Sequence, residues 1–144
     1  MANEVPTVDG EDCRRLLVHE EADVAMARRY VRELARHAGL QPSATEALAT
    51  AVSELARNIV VHANQGEMVF KVARERGRHG VVVIASDRGR GVVDPEAAMT
   101  DGYSTGGGLG LGLSSARRLV DEFELVSAPV GGTTVVLKKW AALT

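Results

Sequence analysis

The sequence predicts one domain that contains both α-helices and β-strands. The chain has 144 residues, of which 45% are hydrophobic, and this is enough to build a single buried core. Two long stretches repeat apolar residues with the period of an α-helix, while several shorter runs alternate or are wholly apolar, as strands are. No internal repeat or linker divides the chain, so we expect one domain across residues 1–144.

Charge and composition exclude several classes of function. The 17 Lys and Arg residues and the 19 Asp and Glu residues give a formal net charge of -2, which provides no general attraction to nucleic acid or to an anionic membrane. Cys13 is the single cysteine, so neither an internal disulfide nor a thiolate zinc site is expected. The first residues lack a signal-peptide pattern, and the most apolar run, Val81–Ala85, is too short to cross a bilayer. We therefore expect a cytoplasmic protein without nucleic-acid or membrane partners.

The first part of the chain predicts a strand followed by a helix. Residues 1–12 are mostly polar and are expected to be loose, and Arg15–His19 predicts a first strand at an edge of the sheet. A helix that starts at Asp23 and ends at Gly39 places six apolar residues on one stripe: Val24, Ala27, Val31, Leu34, Ala35 and Ala38. Its outer face carries three arginines, which form either a solvated charged face or a docking patch for an acidic partner: Arg29, Arg32 and Arg36.

A second helix is predicted to begin at Pro42 and to end near Val61 or His62. Ser43 is the expected N-cap, and Glu46, three residues later, completes a capping box. At about 100° per residue, four apolar residues fall on a narrow arc that faces the core: Leu48, Val52, Leu55 and Ile59.

Glu54 and Asn58 lie four residues apart on the flank of that arc, so their side chains stack together. The small residues Ala47 and Ala51 share this flank and leave room for a ligand. An acid beside an amide at the edge of the core suits a binding site. The same pair also suits an ordinary hydrogen bond on a helix surface, and the helix alone leaves both interpretations open.

Two strands are predicted in the middle of the chain, and the second ends on an aspartate. Glu67–Val72 alternates like a strand with one buried face, and Val81–Ser86 is apolar, as central strands are. Asp87 follows directly, and Gly89 and Gly91 let the chain turn away, which places a carboxylate at the mouth of a pocket. Asp and Gly also occupy ordinary turns, so this pattern is not specific by itself.

A glycine-rich stretch follows a short helix predicted over Asp94–Met99. Residues 105–113 read Thr-Gly-Gly-Gly-Leu-Gly-Leu-Gly-Leu and lead into a helix that we expect to end near Glu122. Backbone N–H groups of glycines and of a helix start can approach phosphate closely, although a flexible linker has a similar composition. A Walker loop and a dinucleotide fingerprint are excluded, since the Gly-Lys-Ser/Thr ending and the preceding strand are both missing. Two strands, Phe123–Ser127 and Thr133–Lys138, close the chain as a hairpin.

Four motifs stand in the order and spacing of the nucleotide-binding boxes of the GHKL ATPase and kinase superfamily, which the chain resembles over about residues 10–140. They are Glu54-x-x-x-Asn58, Asp87-x-Gly89-x-Gly91, Gly106-x-Gly108-Leu109-Gly110-Leu111 and Gly132-Thr133. Residues 53–58 and 101–110 are most similar to the RsbT-type serine/threonine switch kinases of bacterial stressosomes. The resemblance implies a Bergerat-type α/β sandwich, with three helices over a mixed, largely antiparallel sheet and a lid at about residues 92–107 above ATP.

The resemblance also implies roles for individual residues. Asn58 would hold the Mg²⁺ that bridges the ATP phosphates, and Glu54 would act as the base or orient a magnesium-bound water. Asp87 would accept a hydrogen bond from the adenine amino group, and Thr133 would support that contact directly or through water. Backbone N–H groups in the glycine stretch would bind phosphate at Gly108, Gly110 and Gly112. By the same resemblance, the other ATP-binding positions would be Gly89, Gly91, Gly106, Leu109 and Leu111.

Three functions follow from the resemblance. The first is a magnesium-dependent kinase that phosphorylates Ser or Thr on a STAS-domain scaffold or antagonist and then activates a downstream phosphatase or other output enzyme. The second is an anti-sigma factor that sequesters a sigma factor. The third is a detached histidine-kinase ATPase domain, for which the chain shows no phosphoacceptor helix. Since no Lys or Arg lies between Gly91 and Ala116, Mg²⁺, Arg57 or a partner must supply the positive charge that phosphoryl transfer needs.

Overall fold

The structure is a computed structural model that describes residues 12–63, 65–87, 113–128 and 132–142. The short helix predicted over Asp94–Met99 therefore lies outside the described residues. The elements are, in chain order, β1 (Cys13–Val18), α1 (Glu21–Ala38), α2 (Pro42–Asn58), a π-helical turn (Ile59–Ala63), β2 (Gly66–Glu75), β3 (Arg78–Asp87), α3 (Leu113–Leu119), β4 (Glu122–Ala128) and β5 (Gly132–Trp140).

The strands form a single sheet in the order β1-β2-β3-β5-β4. Each pairing between the described strands is antiparallel, which confirms the largely antiparallel sheet. β1 lies at an edge, as its sequence predicted, and the predicted C-terminal hairpin is formed by β4 and β5. Helices α1 and α2 contact each other and the sheet, and α3 packs against α2. The result is the α/β sandwich that we expected, with its core between the helices and one sheet face.

Helix α1 follows its predicted boundaries to within two residues. It begins at Glu21 because Glu20 is the N-cap, and the carboxylate of Asp23 accepts hydrogen bonds from the backbone N–H groups of His19 and Glu20. It ends at Gly39, whose φ of 81° lies in the left-handed region that favours glycine. The apolar stripe is buried as predicted.

The predicted N-cap of α2 was wrong. The N-cap is Gln41, and Pro42 occupies the first helical position, where its missing N–H costs nothing. Ser43 therefore lies inside the first turn. Glu46 does not complete a capping box, because its carboxylate accepts two hydrogen bonds from Arg32 of α1, at 2.8 and 3.1 Å. A charged bidentate partner outcompetes a backbone N–H at this distance.

Helical structure beyond α2 reaches Ala63, close to the predicted end at Val61 or His62. The last turn is π-helical, so its hydrogen bonds join residues five apart instead of four. Such turns are frequent at functional sites. The four residues of the predicted core arc are buried: Leu48, Val52, Leu55 and Ile59.

The strands extend further than the sequence predicted, whereas α3 is shorter. Helix α3 ends at Leu119, three residues before the predicted end, because β4 already begins at Glu122. β2 and β3 continue to a two-residue turn at Arg76 and Gly77, both with positive φ. None of the helices in the described ranges combines the length and hydrophobicity needed to cross a membrane.

Candidate functional site

A pocket lies where the C-terminal end of α2 meets the ends of β3 and β5. The π-helical turn and the start of α3 complete its wall. Its apolar lining comes from both layers of the sandwich: Leu55, Ile59, Ala63, Ala85, Leu113 and Val135. Four polar side chains share the lining: Asn58, His62, Asp87 and Thr133. Apolar walls with a few convergent polar groups are typical of a small-molecule site.

Asp87 and Thr133 reach the pocket through the register of the sheet. They are directly opposite each other on β3 and β5, and directly opposite residues point to the same face. Ala85 and Val135 form the pair two residues further into the sheet, and both are buried on that face. The Thr133 hydroxyl also lies 3.4 Å from the hydroxyl of Ser127 on β4. The predicted carboxylate at a strand end is therefore beside a predicted threonine.

Asn58 occupies the last position of α2 on the opposite wall. Its Nδ2 is buried, and it has no hydrogen-bond partner among the described residues. Buried polar groups without a partner are rare in folded proteins because their desolvation is costly. An amide in this position is suited to pair with a polar ligand, which favours the binding-site interpretation over an ordinary hydrogen bond with Glu54.

Glu54 lies one turn before Asn58 and is not among the residues that line the pocket. Its carboxylate is 3.9 Å from Nη1 of Arg57, and Nη2 of the same arginine is 3.8 Å from the carboxylate of Glu21 on α1. The side chain of Glu54 is 34% exposed, so a second protein can reach it from outside the pocket. The structure thus separates Glu54 from the pocket-lining residue Asn58 by about one helical turn.

The predicted lid and eight of the predicted ATP-binding residues fall in residues 88–112, outside the described residues. These residues are Gly89, Gly91, Gly106, Gly108, Leu109, Gly110, Leu111 and Gly112. The two described residues that flank this segment, Asp87 and Leu113, both line the pocket. The chain therefore leaves the described fold at the pocket and returns to it there.

Several residues of the site were missed by the sequence analysis. His62 lies four residues after Asn58, and the same helical spacing that linked Glu54 to Asn58 could have identified it. Ser127 and Gly66 are near the site only through cross-strand pairing, so no local pattern indicated them.

Comparison with known proteins then identifies the family. Residues 17–139 match the histidine kinase-like ATPase domain. The chain belongs to this family. Over 133 residues it is 38% identical to the serine/threonine-protein kinase RsbT of Bacillus subtilis, and the match covers 92% of this chain and 98% of RsbT. The predicted resemblance to the GHKL superfamily, and to its RsbT type, is confirmed.

Two further similar proteins are anti-sigma F factors, and they match a smaller part of the chain. One, from Halalkalibacterium halodurans, is 33% identical over 97 residues, and the match covers 65% of that protein. The other, from Clostridium novyi, is 30% identical over 95 residues, and the match covers 66% of its length. As a member of the histidine kinase-like ATPase family, the chain is expected to use ATP.

Proposed function

We propose that the protein transfers the γ-phosphoryl group of ATP to a Ser or Thr of a STAS-domain scaffold or antagonist, and then activates a downstream phosphatase or other output enzyme. The protein is an enzyme of the RsbT-like serine/threonine kinase type, since its similarity to RsbT extends over 98% of that kinase. The observation that carries the proposal is the meeting of Asn58 and Asp87 in one pocket.

The adenine end of this site is formed by β3 and β5. The carboxylate of Asp87 accepts a hydrogen bond from the adenine amino group, and the Thr133 hydroxyl supports that contact directly or through water. Ala85 and Val135 provide apolar surface for the purine ring, whose burial contributes in proportion to its apolar area. This arrangement favours a base with a hydrogen-bond donor at the position of the adenine amino group.

The phosphate end is formed by α2, where Asn58 would provide one ligand for a magnesium ion. The amide oxygen of Asn58 is a hard ligand of the kind that Mg²⁺ prefers, and its buried Nδ2 can donate to a phosphate oxygen. When bound, Mg²⁺ neutralises part of the phosphate charge. The backbone N–H groups of Gly108, Gly110 and Gly112 would add further donors.

Glu54 is the proposed base. As the partner's hydroxyl oxygen bonds to the γ-phosphorus and the bond to the bridging oxygen breaks, the Glu54 carboxylate takes the hydroxyl proton and ADP leaves. The alternative role for Glu54 is to orient a water molecule on the metal. Its position outside the pocket lining and its exposure favour the base, because the acceptor hydroxyl comes from a second protein.

The second candidate function is an anti-sigma factor that sequesters a sigma factor. It is supported by the identity to the two anti-sigma F factors, which stands at 33% and 30%. We favour the kinase, because RsbT matches this chain with higher identity and over nearly its whole length.

The test is to incubate the purified protein with Mg-ATP and candidate STAS-domain proteins and to follow their phosphorylation by mass spectrometry. Binding of sigma factors is measured in parallel by calorimetry. We expect one phosphorylated Ser or Thr on a STAS-domain protein, and none when Asp87→Asn replaces the wild type. Tight sigma-factor binding without STAS phosphorylation would instead support the anti-sigma function.

A further inference from the structure

Gly66, the first residue of β2, lies beside two elements that form the pocket, the π-helical turn and the end of β3. A Cβ placed on Gly66 would lie 2.5 Å from the backbone oxygen of Ser86, 3.0 Å from Cγ2 of Ile59 and 3.2 Å from Cβ of Asp87. The contact with the Ser86 oxygen is shorter than real Cβ atoms make, so the backbone of β2 or β3 would have to shift, and Ile59 and Asp87 would have to give by a few tenths of an ångström.

These neighbours belong to both ends of the proposed nucleotide site. Gly66 is directly opposite Asp87 in the β2–β3 ladder, and Ile59 follows Asn58 at the start of the π-helical turn. The absence of a side chain on Gly66 lets the end of α2 pack against the end of β3. A side chain at position 66 would therefore press on elements that carry Asn58 and Asp87.

We propose that Gly66 is a positioning residue for the nucleotide, which sets the place of the Asp87 carboxylate relative to Asn58. The proposal rests on the function proposed above. A side chain at this position pushes Asp87 or the π-helical turn aside, and hydrogen bonds weaken steeply with misalignment. The contact between Asp87 and the adenine amino group is then weakened while the triphosphate still binds.

Gly80 provides a matched control at the other end of β3. A Cβ on Gly80 would also overlap its neighbours, namely the backbone oxygen of Lys139 and Cε3 of Trp140. Neither Gly80 nor these neighbours line the pocket. Gly66→Ala and Gly80→Ala thus make the same chemical change with similar overlap, but only the first is near the nucleotide site.

The experiment compares the affinities of each variant for Mg-ATP and for purine riboside triphosphate, an ATP analogue without the adenine amino group. The ratio of the two affinities reports the contact with Asp87. Partial unfolding lowers both affinities by the same factor, so it leaves the ratio unchanged. We expect the ratio to fall about tenfold in Gly66→Ala, because misalignment weakens the hydrogen bond without removing it, and to stay at the wild-type value in Gly80→Ala.

The outcomes separate this proposal from the proposed function. If the wild type prefers ATP and Gly66→Ala keeps the same ratio, Gly66 does not position Asp87, although the nucleotide site stands. If the wild type binds both nucleotides equally, the role of Asp87 is wrong and the positioning role of Gly66 is overturned with it. Measurements in sucrose, which favours the folded state, extend the test to a destabilised variant. A Gly66→Ala chain that stays unfolded there would make Gly66 a residue needed for folding and would also overturn the proposal.

Discussion

Asp87 is the residue on which we expect nucleotide selectivity to depend. Its carboxylate can accept from the amino group of adenine, whereas guanine presents a carbonyl oxygen at the same position. Sites built around such a bond can discriminate by about 10⁴ or more when it is lost. We therefore expect the wild type to prefer ATP over GTP, and Asp87→Asn to lose ATP binding, in equilibrium measurements with both nucleotides.

Ser86→Ala is the control for this prediction, because Ser86 is the preceding residue of β3 and its side chain points to the other face of the sheet. It should bind ATP like the wild type, and both variants should keep the circular dichroism spectrum of the fold. An Asp87→Asn protein with wild-type ATP affinity would show that the adenine contact is assigned to the wrong residue.

Glu54 and Asn58 should separate into chemistry and metal binding. A carboxylate can take a proton at neutral pH and an amide cannot, and removal of a base typically costs about 10² to 10⁴ in rate. Glu54→Ala should keep magnesium-dependent ATP binding and lose turnover, whereas Asn58→Ala should weaken the magnesium dependence itself. Single-turnover phosphorylation and ATP titrations at several magnesium concentrations measure the two effects.

The control for Glu54 is Glu21→Gln, since both carboxylates lie near Arg57 but Glu21 belongs to α1. It should leave the rate of phosphorylation unchanged. If Glu54→Ala phosphorylates the partner at the wild-type rate, Glu54 is only a surface acid of α2.

The residues of the site were predictable where their spacing is local. Helical geometry placed Asn58 at the edge of the core, and an apolar run that ends on a carboxylate placed Asp87 at a pocket mouth. Thr133 came only from the family resemblance, because its pairing with Asp87 joins residues far apart in the chain. Gly66 could not be predicted, since its role depends on a close approach between α2 and the sheet.

At the scale of elements, the contact between α1 and α2 includes an ion pair that should respond to pH. Two hydrogen bonds from Arg32 lower the pKa of the Glu46 carboxyl in the folded protein. A group whose pKa is lowered by folding stabilises the fold above its unfolded pKa, and this contribution disappears as the pH falls through the folded pKa. The pair should therefore stabilise the helix contact at neutral pH and not in acid.

Glu46→Gln tests this prediction through urea unfolding across that range of pH. The variant should be slightly less stable than the wild type at neutral pH, and the difference should shrink as the solution becomes acidic. The effect is expected to be small, because both side chains are exposed to solvent. Glu124→Gln, at an exposed carboxylate of β4, controls for the loss of a negative charge. A difference that does not change with pH would contradict the role of this ion pair.

Most elements were predictable because periodicity and glycine positions are local signals. The edge position of β1, the end of α1 at Gly39 and the C-terminal hairpin were correct. The errors arose where tertiary contacts determine how a helix is capped or where it ends. Glu46 pairs with Arg32 of another helix instead of capping its own, and α3 gives way to β4 before its predicted end.

At the scale of the whole molecule, we predict that phosphorylation needs the partner and that hydrolysis of ATP alone is slow. From Gly91 to Ala116 the sequence has no Lys or Arg, so the protein by itself compensates the charge that develops on the γ-phosphoryl group poorly. Docking of a partner would exclude water and align the acceptor hydroxyl, and such alignment supplies much of the catalysis in phosphoryl transfer.

The measurement follows release of inorganic phosphate from Mg-ATP without and with a STAS-domain substrate. We expect little release in the first case and transfer to the substrate in the second. A substrate whose acceptor Ser or Thr is replaced by Ala distinguishes transfer from hydrolysis that docking stimulates. Rapid release without a partner, unchanged when one is added, would mean that the protein is an ATPase.

The buried Nδ2 of Asn58 lowers the stability of the fold, whereas the same amide is needed for the proposed activity. An apolar residue of similar size, such as leucine, would remove the penalty of burying an amide without a partner among the described residues. The same change would remove the proposed magnesium ligand. Directed evolution for heat resistance and directed evolution for phosphoryl transfer should therefore choose different residues at position 58.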